Sequence, residues 1–273
     1  MRCVAGGIDF YCEAYGEGIP ILLIHGFGVD HRAMKGTMEP VFEDRPGWKR
    51  IYIDLPGMGM TPASEKIRNT DDMLEAVVAL IGVLIPSGTF LVGGTSYGTL
   101  LARGLIRRMP ERIGGAMLLA PVTVFERARR DLPPKTVLVK DEKLLSELPP
   151  GVRREFELMT TVQDAGTWER YKAESVPALK MADQETLARI AHCGYRFSFD
   201  VDRLPEPFEK PVLIITGRQD TAVGFKDALA LLENFPRGTY AILDRAGHSL
   251  EIEQERVLHC LVSEWLDRVE EHH

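Results

Sequence analysis

The sequence predicts an α/β fold, a mainly parallel central sheet with helices on both faces, interrupted by a helical insertion. Two observations carry this reading. Short β-branched runs alternate with longer amphipathic stretches through residues 1–121, and the same alternation resumes from 207 to 273. Between them, residues 122–206 are highly charged, helical in pattern and punctuated by Pro133-Pro134 and Pro149-Pro150. Strands alternating with helices indicate βαβ crossovers, which produce parallel strands.

Taken in order, Ile8 to Ala14 and Pro20 to His25 read as strands separated by the turn Gly16-Glu17-Gly18. A two-residue turn at Gly6-Gly7 pairs Cys3 with Phe10 rather than with Cys12. Arg50 to Asp54 is a strand stopped by Pro56-Gly57. From Asp71 to Ile85, apolar residues fall at Met73, Leu74, Val77, Val78, Ile81, Leu84 and Ile85, a helical period entered at Asn69-Thr70 and ended by Pro86. Thr89 to Gly94 is a strand, Leu100 to Met109 a helix and Ile113 to Ala120 a strand. After the insertion come the strand Pro211 to Thr216, the helix Lys226 to Asn234, the strand Thr239 to Leu243 and a final helix from Leu250 to Val269. The core is therefore 1–121 with 207–273, and 122–206 is a cap, expected over the carboxyl ends of the strands, where open α/β sheets bind ligands.

Composition excludes several classes. The 273 residues are 45% hydrophobic and 27% charged, as in ordinary globular chains, and the net charge of −7 disfavours nucleic-acid binding. The cluster Arg127, Arg129 and Arg130 sits among acidic neighbours and reads as a solvated helix face. The four cysteines show no metal or redox spacing, and no basic-then-apolar leader opens the chain. Reduced thiols in a cytoplasmic protein are the expectation, with no membrane partner.

Chemistry is concentrated at Gly94-Thr95-Ser96-Tyr97-Gly98, a G-x-S-x-G directly after a strand and before a helix. Small residues two before and two after a serine let a sharp turn pass closely and present its hydroxyl at the end of the sheet. A serine needs a base, and His248 follows a strand in Asp244-Arg245-Ala246-Gly247-His248. The base needs an orienting carboxylate, and Asp220 follows a strand in Thr216-Gly217-Arg218-Gln219-Asp220. Glu126, six residues past Ala120, is the alternative acid. His25 is expected to shape a loop, and His31 to line the site mouth or pack at a helix start; His192 and His259 fall on helical patterns. The backbone N–H groups of Phe27 and Tyr97 are candidates to hold an oxyanion.

These stretches, with His25-Gly26-Phe27-Gly28 and Asp54-Leu55-Pro56-Gly57-Met58-Gly59, resemble the α/β-hydrolase superfamily in its serine-nucleophile branch over essentially the whole chain. Met58 and Thr99 depart from residues common there, histidine and glycine, without removing a catalytic group. The resemblance implies an α/β-hydrolase fold with a lid, the triad Ser96, His248 and Asp220, and no metal or organic cofactor. It implies a serine hydrolase, carboxylesterase-like, cleaving a small-molecule acyl substrate as a monomer or homodimer. Two alternatives stay open: a carbon–carbon bond hydrolase of a ring-fission diketone, and a slow-turnover ligand sensor.

Overall fold

A computed structural model describes residues 1–193 and 195–271. β1 (Arg2–Ala5) and β2 (Ile8–Tyr15) form a hairpin through Gly6 and Gly7, whose φ angles of 57° and 76° suit a two-residue turn, and Cys3 faces Phe10. Cys3 and Cys12 are both free thiols. The chain continues through β3 (Ile19–Ile24), α1 (His31–Met38), β4 (Trp48–Ile53), α2 (Thr70–Leu84), β5 (Phe90–Thr95), α3 (Tyr97–Arg108) and β6 (Ile113–Leu119). β3 and β5 are apolar throughout most of their length because sheet neighbours flank them and helices cover their faces. α2 starts where the Asn69 side chain accepts from the Asp72 N–H, and it buries Met73, Leu74, Val77, Leu80 and Ile81.

The inserted segment carries β7 (Val139–Lys140), α4 (Glu142–Glu147), α5 (Pro150–Met159), β8 (Val162–Gln163), α6 (Ala165–Glu174), α7 (Val176–Met181) and α8 (Gln184–His192). Core order then returns with β9 (Val212–Gly217), β10 (Gly238–Leu243), α9 (Leu250–Glu253) and α10 (Glu255–Glu270). The eight-stranded sheet runs β1-β2-β4-β3-β5-β6-β9-β10, parallel from β4 onward, with the first hairpin antiparallel at one edge.

Three expectations change. No strand was expected in the insertion, yet β7 and β8 pair in parallel; two-residue strands carry no periodicity to read. Asp227–Asn234, expected as an α-helix, is a 3-10 helix, in which Ala228 and Leu231 bury at the three-residue spacing that such a helix brings into line. The final helix is two: it breaks at Gln254, after Glu253 has turned its carboxylate onto the Thr161, Val162 and Gly247 N–H groups.

The insertion has its own apolar cluster of Leu145, Phe156, Trp168 and Tyr171 against Ile252, while Ile190, Phe197 and Val201 join the main core. Each such side chain contributes about 1.5–3 kcal/mol on burial. One buried guanidinium ties both stems: Arg103 of α3 pairs with Asp202 and donates to the Val122 carbonyl. Among the described residues no helix is long and apolar enough to cross a membrane.

Candidate active site

β3, β5, β9 and β10 run in one direction, so the loops leaving their carboxyl ends gather on one edge of the sheet. Ser96 sits between β5 and α3 with φ 49° and ψ −112°, a left-handed-side conformation costing a non-glycine residue about 1–3 kcal/mol. The two glycines of the motif make this turn possible by close approach. A methyl group at Gly98 would overlap the Ile24 carbonyl oxygen, and one at Gly94 would overlap the Gly98 backbone. Gly98→Ala is therefore expected to cost about 3 kcal/mol of stability, read from the denaturant midpoint.

The structure brings Ser96, His248 and Asp220 together. His248 Nε2 lies 3.1 Å from Ser96 Oγ, and His248 Nδ1 lies 2.8 Å from Asp220 Oδ2. Asp220 is fully buried, and its other oxygen accepts from the Ala222 and Val223 N–H groups at 2.7 and 3.0 Å. Burial pushes its carboxyl up, but the His248 charge and these hydrogen bonds outweigh it, leaving the group below the usual range. For His248, burial pulls down and Asp220 pulls up more strongly, so the imidazole stands above its ordinary value. The histidine loop is held to the insertion, because the Met159 carbonyl accepts from both the His248 and Ser249 N–H groups.

Phe27 and Tyr97 flank Ser96, one on the loop after β3 and one at the first residue of α3. Neither backbone N–H has a hydrogen-bond partner among the described residues. His25 braces the first of these loops: it is fully buried, its Nε2 accepts from the Leu55 N–H at 2.9 Å, and Nδ1 lies 2.7 Å from the Gly26 carbonyl. Burial lowers its basicity, as a neutral ring with one donor and one acceptor nitrogen requires. Met58, one of the departures from the resemblance, takes the Gly28 N–H on its sulfur at 3.4 Å.

Other candidates lie elsewhere. Glu126 is exposed and pairs with Arg129, away from His248. His31 packs at the start of α1 against Asp54 Oδ1 at 2.8 Å and does not line the cavity. Asp30, His31 and Asp54 are close enough to share an ion, but the Arg32 guanidinium and the His31 and Met60 N–H groups already occupy those carboxylates. His192 is exposed on α8, and His259 bonds to the Thr37 carbonyl.

The arginine cluster is a correction. Arg130 is not on a solvated helix face: its guanidinium donates to the Val124, Phe125 and Ala222 carbonyls, and Arg127 donates to Thr221. Both thus hold the loop that carries Asp220, a role invisible in sequence because its partners are backbone atoms over 90 residues away. Arg130→Met is expected to lower kcat/KM on any turned-over substrate by about 10- to 100-fold through misplacement of Asp220. An unchanged kcat/KM with an unchanged melting temperature would remove that role.

Sequence reasoning also missed Tyr195. Its ring packs 4.8 Å from Phe27 and 4.6 Å from Tyr97, closing the insertion over both loops. A cavity of about 100 Å³ adjoins Ser96 and His248, lined further by Gly26, Phe27, Ser175 and Glu251. Through Glu155, Tyr171 and Leu179 it continues into an apolar groove of about 230 Å³ toward Gly151 and Lys180. A roomier groove of about 420 Å³ along Ile106 to Glu111 and Leu204 to Lys210 touches none of these residues.

A sequence model of the alpha/beta hydrolase family matches residues 21–259, nearly the whole chain. The protein belongs to the alpha/beta hydrolase family. This hydrolase is 26% identical over 246 residues to a pimeloyl-[acyl-carrier protein] methyl ester esterase of Aeromonas salmonicida, covering 87% of this chain and 91% of that one. It is 24% identical over 272 residues to a 2-hydroxy-6-oxo-2,4-heptadienoate hydrolase of Pseudomonas putida, covering 96% and 94%. Its fold matches that of an alpha/beta superfamily hydrolase from Oenococcus oeni with a TM-score of 0.88 at 24% identity, covering 99% of each chain. The α/β-hydrolase fold implied by the sequence resemblance is the one observed, and family and relatives place the protein among hydrolases.

Proposed function

We propose that this protein is a serine hydrolase that cleaves a small ester, or a related acyl compound, through an acyl-enzyme. The observation that carries the reading is the unbroken chain of contacts from Ser96 Oγ through His248 to buried Asp220, opening on a cavity. Ser96 attacks the acyl carbon while His248 Nε2 takes the hydroxyl proton. Asp220 keeps the Nδ1–H tautomer in place and stabilises the imidazolium that forms. The Phe27 and Tyr97 N–H groups receive the oxyanion, where preorganised donors are worth most. His248 then protonates the leaving alcohol, and water activated by the same imidazole releases the acid.

The residue 122–206 segment serves as the lid and supplies most of the specificity surface through Glu155, Met159, Tyr171, Ser175 and Leu179. The cavity beside Ser96 is small against the roughly 300–1,000 Å³ of drug-sized ligand sites, which favours a short group there, with a longer apolar portion lying in the adjoining groove. The second reading, carbon–carbon cleavage of a ring-fission diketone, draws support from the similarity to the 2-hydroxy-6-oxo-2,4-heptadienoate hydrolase.

A p-nitrophenyl ester series from acetate to octanoate tests the first reading. Multiple turnovers, fastest with the shorter acyl groups, are expected. Absence of turnover on every ester, with cleavage of a ring-fission diketone, would transfer the assignment to the second reading. A single burst with no further turnover would instead favour the slow ligand sensor.

A further inference from the structure

Two acids on α9 are buried near His248, and they are used differently. Glu253 is committed to the fold: its two oxygens accept from the Thr161, Val162 and Gly247 N–H groups at 2.5, 2.7 and 2.6 Å. Glu251 has no such employment. It is 9% exposed, it lines the cavity that contains Ser96 and His248, and its Oε2 is buried with no hydrogen-bond partner among the described residues. Buried carboxyl oxygens without partners are costly, so one facing a substrate cavity points to a ligand group that completes it.

The surroundings say which kind of group. Arg170 of α6 is the nearby cation, and it is taken up by Glu174 and Glu255, each at 2.8 Å, with a long 3.4 Å contact to the Glu251 carbonyl. Glu174 Oε2 and Arg170 Nη2 are also buried without partners. Three carboxyl groups therefore surround a single guanidinium, and Glu155 of α5 adds a fourth acid to the cavity wall. His248 is the remaining titratable group facing Glu251, and burial pushes the Glu251 carboxyl up to about 7. Surplus acid repels a substrate carboxylate and accepts from a donor, whichever protonation state Glu251 holds.

We propose that Glu251 forms a polar subsite beside Ser96 that selects substrates bearing a hydrogen-bond donor, a hydroxyl or an ammonium, near the scissile acyl group. This rests on the ester-hydrolase reading and narrows it: the substrate is a hydroxy- or amino-substituted ester rather than a purely aliphatic one or one ending in a carboxylate. A site built around an unpaired acceptor discriminates against analogues lacking the donor more strongly than an apolar pocket discriminates by size.

The test compares near-isosteric esters in a pH-stat: methyl butyrate, methyl 3-hydroxybutyrate and methyl 3-aminobutyrate, with propyl acetate and 2-hydroxyethyl acetate carrying the donor on the alcohol side. Wild type, Glu251→Leu and Glu251→Gln are measured, with thermal melts to confirm that each is folded. The wild type is expected to favour at least one donor-bearing ester over its isostere in kcat/KM. Glu251→Leu is expected to reduce that ratio at least tenfold. Glu251→Gln, which keeps an acceptor without the charge, separates the sources: it retains a hydroxyl preference and loses an ammonium preference. A ratio unchanged in Glu251→Leu, or a wild type that favours the aliphatic isosteres throughout, overturns the subsite. If no ester is turned over, the hydrolase reading fails separately. The subsite is then judged by calorimetric binding of the same esters to Ser96→Ala with and without Glu251→Leu, where equal affinities overturn it.

Discussion

Ser96→Ala is expected to lower kcat on p-nitrophenyl acetate by a factor on the order of 10³ or more. Removing Oγ leaves no atom to form the acyl-enzyme, and His248 then has only water to activate. The oxyanion donors at Phe27 and Tyr97 are backbone groups and survive the change, so a residual rate above that of buffer should persist. Folding is expected to be little altered. Alanine at φ 49° carries the same backbone penalty as serine, and the lost hydrogen bond is a single 3.1 Å contact to His248. A variant that melts with the wild type and retains its turnover would sink the assignment of Ser96 as nucleophile.

Asp220→Asn should cost about 10⁴-fold in kcat while keeping the fold, for a reason visible in the local hydrogen bonds. Oδ1 accepts from the Ala222 and Val223 N–H groups, so the asparagine carbonyl oxygen is held at that position. Its NH₂ then faces His248 Nδ1 and donates to it, which forces the ring proton onto Nε2, the atom that must take the proton from Ser96. The pH profile gives an independent readout. In the wild type, Asp220 outweighs burial and raises His248, so kcat/KM should climb with pH through a midpoint above 6.5 as the imidazole loses its proton. With the carboxylate gone that midpoint should fall even as the plateau drops. A midpoint unmoved by the substitution would separate Asp220 from the titration of His248.

Much of this arrangement was legible from residue order. G-x-S-x-G is a statement about sterics: Gly94 and Gly98 are required because the Gly98 backbone and the Ile24 carbonyl occupy the space where side chains would stand. His248 and Asp220 were readable because each follows a strand of a parallel sheet, and parallel strands deliver their following loops to one edge. Cys3 opposite Phe10 followed from turn length alone. Local rules of this kind act over a few residues, and a linear pattern records them.

What only the tertiary structure decided involves partners distant in sequence and chemically anonymous. Arg130 looked like a surface cation until its guanidinium was found on the Ala222 carbonyl; every residue has a carbonyl, so no pattern marks that contact. Tyr195 against Phe27 and Tyr97, and Met159 bonded to the His248 loop, depend on how the insertion settles over the sheet. Glu251 and Glu253 are the sharpest instance. Two glutamates two positions apart are indistinguishable by composition, yet one is saturated by backbone donors and the other lines the cavity with an unpartnered oxygen. Their difference lies in which way a short helix faces, and packing of the insertion and sheet around it sets that direction.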